Sequence, residues 1–172
     1  MASTNKRADI NANSAVEIDP STPGTIVRVA LAAESLLNVL VLGIPSIFNP
    51  KRTLEQTYLP AGRSATPEAA SALQLNGVSI MAITLPMVLA ISNKPGAIEL
   101  RRTSYQILSL YEAIAIPMHL WQAWVGEEGT GWSPDKLTWG MSVPMGLFLG
   151  FRIWVLYAKP QWMGKYRLKK VD

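Results

Sequence analysis

Cysteine is absent from the 172 residues and histidine occurs once. Without thiols the chain can form no disulfide, no thiolate-ligated metal cluster and no cysteine nucleophile. Charge is sparse, with Asp, Glu, Lys and Arg together at 16%. A glycine-rich phosphate loop, a Gly-x-Ser-x-Gly elbow and a dinucleotide fingerprint are all missing. Nucleotide-dependent enzymes and serine hydrolases therefore lose their sequence signatures here. The residues before Thr25 are polar, rich in Asn, Ser, Asp and Ala, and carry no apolar period. They read as a disordered tail over 1–25, because so little apolar surface cannot offset the entropy of ordering. With no apolar h-region among them, the first long apolar run is expected to serve as an uncleaved signal.

Long apolar runs are what the chain does have. They cover Ile26 to Phe48, Ala69 to Ser92, Ser104 to Val125 and Leu137 to Tyr157. About 20 helical residues cross a hydrocarbon core of about 30 Å, so each run is long enough. The connectors are too short for a separate domain. The expected fold is all-α, an integral membrane four-helix bundle over 26–158 with a basic tail over 159–172. The lipid bilayer is then its first partner.

The net charge of +4 follows the same layout. Alternating spans put Lys6, Arg7, Lys94, Arg101, Arg102 and the basic residues after Lys159 on one side. Lys51, Arg52, Arg63 and Lys136 fall on the other, among Glu55, Glu68, Glu127, Glu128 and Asp135. The positive-inside bias then places both termini in the cytosol, and no nucleic acid is needed to explain the basic residues. Trp124, Trp132 and Trp139 gather toward one interface, Trp154, Tyr157 and Trp162 toward the other. The terminal Lys169-Lys170-Val171-Asp172 resembles a dilysine retrieval signal, which points to the endoplasmic reticulum membrane of a eukaryote. A basic tail that only enforces topology is the plainer alternative.

Each run holds one proline, Pro45, Pro86, Pro117 or Pro144. Proline removes a helix hydrogen bond and kinks the axis, which widens a bundle when neighbours satisfy the freed carbonyl. Ser142, Gly146 and Gly150 make a small-residue stripe suited to close helix contact. The longer first connector, Asn49 to Glu68, is placed to fold over the non-cytosolic mouth.

Ionisable residues inside the runs are the anomaly. Glu34 and Glu112 each lie about 12 Å from the cytosolic end of their helices. Arg152 is nearer that edge and His119 is deeper. A charge at the bilayer centre costs about 3 kcal/mol, so such groups face inward and often mark function. Tyr105, Glu112 and His119 recur every seven residues and share a helix face with Ser109. Glu34 and Asn38 share a face of the first helix, and Asn76 matches the depth of Asn38 and His119. The residues thus predict a polar column from Arg152, through Glu34 and Glu112, to Asn38, Asn76 and His119.

Two chemistries fit that column. Two carboxylates at equal depth repel, so one is expected to keep its proton and work in proton transfer with His119. Alternatively Glu34 or Glu112 pairs with Arg152 and the amides tie helices together, or Arg152 snorkels to the headgroups. A metal site is disfavoured, because no Glu-x-x-His pair occurs and Glu112 and His119 stand about 10.5 Å apart along the axis.

Ile26-Val-Arg-Val-Ala-Leu-Ala-Ala, the closing Ile47-Phe48-Asn49-Pro50, Leu73-Gln-Leu-Asn-Gly-Val and the Arg101-Arg102 pair resemble the layout of the DoxX-like group of small four-helix membrane proteins. That resemblance covers the apolar runs and implies an architecture. In size, address and buried acids the chain is similar to small membrane proteins of fungal natural-product pathways, some of which isomerise or cyclise terpenoid and polyketide intermediates without a cofactor. The functional expectation is acid–base isomerisation or cyclisation of a lipophilic intermediate, without cofactor or metal. Glu34, Glu112 and His119 are its candidate catalytic residues; Asn38, Asn76, Tyr105, Ser109 and Arg152 are candidates for substrate binding. A non-catalytic adaptor that holds soluble or membrane-bound partners at the endoplasmic reticulum stands as the other reading, with a transporter third; further copies of the chain or partner membrane enzymes are its expected protein partners.

Overall fold

A computed structural model describes residues 16–168 of the chain. The first helix, α1 (Thr25–Leu37), continues through a wide π-helical stretch, Asn38–Gly43, into α2 (Ile44–Phe48). A short helix, α3 (Pro50–Thr57), lies in the first connector. Next come α4 (Pro67–Ile91) and α5 (Ala97–Thr130). A second π-helical stretch, Lys136–Ser142, leads into α6 (Val143–Ile153), and a third, Trp154–Ala158, ends that rod. A 3-10 turn, Pro160–Met163, follows.

Three of these rods are long and apolar enough to cross a membrane: Thr25–Phe48, Pro67–Ile91 and Lys136–Ala158, with mean hydropathies of 1.8, 1.7 and 1.4. Their best windows bury only 22%, 22% and 17% of residues inside the protein. Leu36, Leu40, Leu75, Leu85, Leu89 and Leu147 are all exposed. A water-soluble protein avoids apolar surface on that scale, whereas hydrocarbon solvates it. By length and composition this is a membrane protein. The third expected run is helical too; α5 begins earlier, at Ala97, and non-helical backbone at Gly126 (φ 82°, ψ 179°) interrupts it just after Val125. Gln106, Glu112, His119 and Gln122 interrupt its apolar character, and it falls outside the apolar class.

Local sequence explains the boundaries. Thr66 caps α4, its hydroxyl accepting from the Ala69 amide at 3.3 Å, with Pro67 opening the helix where no amide donor is needed. Gly131, at φ 79°, closes α5 in the left-handed conformation that helix ends favour. Pro45 and Pro144 each fall at the second position of an α-helix that follows a π-helical stretch. The wider turn relieves the clash between the proline ring and the carbonyl before it. Pro86 and Pro117 stay inside α4 and α5.

Packing runs from α1 to α4, from α4 to α5 and from α5 to α6. One buried cluster joins Val27, Leu31, Met87, Ala90, Tyr105, Leu108, Val155 and Met163. A smaller one, Leu54, Ala70 and Leu73, sits where α3 crosses α4, with Tyr58 and Trp132 against it.

Three expectations need correction. The chain is not wholly helical: β1 (Val16–Ile18) pairs antiparallel with β2 (Tyr166–Leu168), Glu17 opposite Arg167, with an ion pair at 2.6 Å. The tail before Thr25 is therefore ordered from Val16, because the segment after the last rod supplies a partner strand that composition alone does not reveal. Residues 1–15 and the Lys169-Lys170 ending lie outside the described residues. The Gly146 and Gly150 stripe makes no close helix contact; a Cβ added at either meets nothing within 4 Å. Within the apolar rods, Gly43 and Gly77 do sit close to a neighbouring rod, where the first rod meets α4.

Candidate functional site

Arg152, on α6, is 1% exposed and is engaged by two carboxylates. Its Nη2 donates to Glu34 Oε1 of α1, and its Nη1 faces Glu112 Oε2 of α5 in a second ion pair. The guanidinium stacks near the rings of Tyr105 and Phe148, at 5.9 and 5.7 Å from their centroids. Phe151 meets Tyr105 edge-on at 6.4 Å. Three helices thus converge on one cation. Arg152 does not snorkel, and the two acids do not face each other bare; the guanidinium links them. Two carboxyl groups thus share one guanidinium.

Beside the triad opens a cavity of about 540 Å³. Glu34, Asn38, Asn76, Glu112 and His119 line it, together with Gln122. Tyr105, Ser109 and Arg152 do not; Arg152 and the Tyr105 ring beside it lie behind the two acids. Asn38 opens the π-helical stretch of α1, and its amide reaches Met87 Sδ at 3.7 Å. His119 Nδ1 and Ser109 Oγ are buried without a hydrogen-bond partner. Apolar residues such as Leu37, Val41, Ile80, Ile83 and Met145 make most of the remaining wall. Leu37, Val41 and Met118 are also among the exposed residues, so the cavity meets the apolar outer surface there. No packed seam comparable to the other three joins α6 to α1 among the described residues. The Arg152–Glu34 pair bridges them instead.

One end of the cavity is closed by a cap. Leu54 of α3 and Tyr58, the residue just after it, line that end, and Tyr58 meets Trp132 edge-to-face at 5.4 Å. Lys136 Nζ donates to the carbonyls of Glu55 and Leu59 at 3.0 and 2.7 Å, and the Ser133 amide to that of Tyr58 at 2.9 Å. The last turn of α3 is thereby tied to the α5–α6 connector. Burial pushes the Tyr58 phenol up to about 12, so it remains a hydrogen-bond donor at any physiological pH. Sequence reasoning missed this pair. The Asn49-Pro50 opening of α3 is the signal that reveals the helix.

Among the described residues no three His, Cys, Asp or Glu side chains gather as a metal site would require. No family model, curated protein or solved structure matches the chain.

Proposed function

We propose that the protein is a four-helix integral membrane enzyme of the endoplasmic reticulum, both termini cytosolic, that isomerises or cyclises a lipophilic intermediate by acid–base chemistry without a cofactor. The observation that carries this reading is the Glu34–Arg152–Glu112 triad bordering an apolar cavity of about 540 Å³. That volume lies within the range of small-molecule sites. The DoxX-like layout and the basic residues flanking the apolar runs support the architecture and its orientation.

One carboxylate of the triad is the base. In an isomerisation, Glu112 or Glu34 takes a proton from one carbon of the substrate and the electron pair shifts along the adjacent double bond. The same carboxyl, now protonated, returns a proton at the far carbon, so atoms and charge balance over the cycle. Asn38, Asn76 and Tyr58 orient polar groups of the substrate. The apolar walls exclude water, which strengthens every charge inside. Entry is from the bilayer, between α1 and α6.

Microsomes carrying the protein, incubated with lipid extract in deuterated water, give the test. The reading expects a product shifted in retention and one mass unit heavier for each proton exchanged. Glu112→Gln and Glu34→Gln are each expected to lower its formation by at least about 100-fold, the usual share of a positioned acid or base. Undiminished product at normal protein levels removes the proposal.

A further inference from the structure

The charged groups that reach the cavity are both acidic. Glu34 and Glu112 line it, and neither Lys nor Arg does. Arg152, the cation that engages them, is 1% exposed and behind the wall. With both acids ionised, the field inside is that of one uncompensated carboxylate charge in a low dielectric. Rings of Tyr58, Tyr111, Trp132 and Phe148 complete the wall, and aromatic faces attract cations and not anions.

From this we infer that the cavity selects a lipophilic monocation: an organic cation, or a neutral hydrocarbon-rich molecule that becomes one during reaction. It rejects acids and phosphates of the same size. A carboxylate or phosphate would meet the two acids with neither Lys nor Arg in the wall to answer it, and like-charge contact in such surroundings is strongly unfavourable. A cation finds the carboxyl groups of Glu34 and Glu112 at one end and aromatic side chains in the wall around its body. The unpartnered His119 Nδ1, about two turns along α5 from Glu112, offers a second polar contact. The inference deepens the acid–base reading of the same cavity by naming the charge class of its ligand.

Tetraphenylphosphonium and tetraphenylborate, nearly identical in shape and opposite in charge, are the probes. Both are titrated calorimetrically into the full-length protein in nanodiscs of zwitterionic lipid, with empty discs subtracted. We expect a saturable phosphonium component at least tenfold tighter than any borate component. The double variant Glu34→Gln/Glu112→Gln should weaken it at least tenfold. Asn76→Asp, which adds a carboxylate to the wall without touching the ion pairs, should tighten it, and Asn76→Lys should favour borate. Should the double variant fail to fold, the two Asn76 variants decide. Absence of a saturable phosphonium component, borate binding of equal strength, or indifference to Asn76→Asp overturns the inference. Phosphonium binding without deuterium incorporation in microsomes would remove the enzymatic reading and leave this one. Deuterium incorporation with no charge preference would do the reverse.

Discussion

Two arginines are wholly or almost wholly buried, Arg101 at 0% and Arg152 at 1% exposure, and they are satisfied in opposite ways. Among the described residues Arg101 meets no carboxylate. Its Nε donates to the Ala90 carbonyl at 2.9 Å and its Nη1 to those of Pro23 and Met163 at 3.2 and 2.6 Å. Its Nη2 serves the Ser92 carbonyl and the Asn93 side chain. Each of its nitrogens donates, and several acceptors belong to the C-terminal turn of α4, where the helix dipole is negative. Arg28 adds a bond to the Ile91 carbonyl at 2.7 Å. The residue sews α4, α5 and the two end segments into one corner. Nothing there is left to react. Arg152 has two carboxylates, aromatic walls and a cavity alongside. One site spends a cation on backbone; the other shares its cation between two carboxyl groups beside a cavity. Burial of an ionisable residue therefore does not by itself mark a site; partner chemistry and adjoining volume are what distinguish Arg152 from Arg101.

That contrast breaks most visibly at Arg152. Arg152→Met should cost about 3–5 kcal/mol, since it strands two buried carboxylates. Reversible unfolding in mixed micelles, followed by circular dichroism, measures it. The triple variant Arg152→Met/Glu34→Leu/Glu112→Leu should regain most of that stability while remaining inactive. A triple variant as unstable as the single one would show that the triad is not the source of the loss.

Arg101→Lys is expected to cost about 2–3 kcal/mol, because an ammonium cannot reach all of the carbonyls that the guanidinium serves and some are left buried and unpaired. Phosphonium binding by the folded fraction should be unchanged. Gly24→Ala probes the same corner: Gly24 has φ 73°, and a Cβ there would stand 2.5 Å from the Met163 carbonyl oxygen and 2.6 Å from Arg101 Nη1. We expect a loss of at least about 1–2 kcal/mol from the left-handed backbone alone. The smallest effect belongs to the cap. Tyr58→Leu should cost about 0.5–1.5 kcal/mol through the lost edge-to-face contact with Trp132, and should speed ligand exchange in stopped-flow traces.

Much of this was readable from the chain because the bilayer demands long apolar helices and makes polar residues in them conspicuous. The seven-residue spacing places Glu112 and His119 on one face, and both line the cavity; Tyr105, in the same series, lies behind it under Arg152. Spacing along a helix gives a face but not the depth of the neighbouring wall. Arg152 was weighed as a partner of one acid, and it engages both, since rotation of α6 about its axis is set by packing and not by its own sequence. Arg101 was assigned to topology by its sign. Its bonds to Pro23 and Met163 depend on the two ends of the described chain meeting, which no local pattern encodes. The Gly146 and Gly150 spacing suited a helix seam, yet α6 turns that stripe outward.

Product formed per folded molecule, compared between Glu112→Gln and Arg101→Lys microsomes, tests the account most directly. The prediction is that Glu112→Gln accumulates normally yet turns over at least about 100-fold more slowly, while Arg101→Lys accumulates poorly and each folded molecule works at the parental rate. Equal turnover per molecule in the two variants, or loss confined to Arg101→Lys, would contradict it.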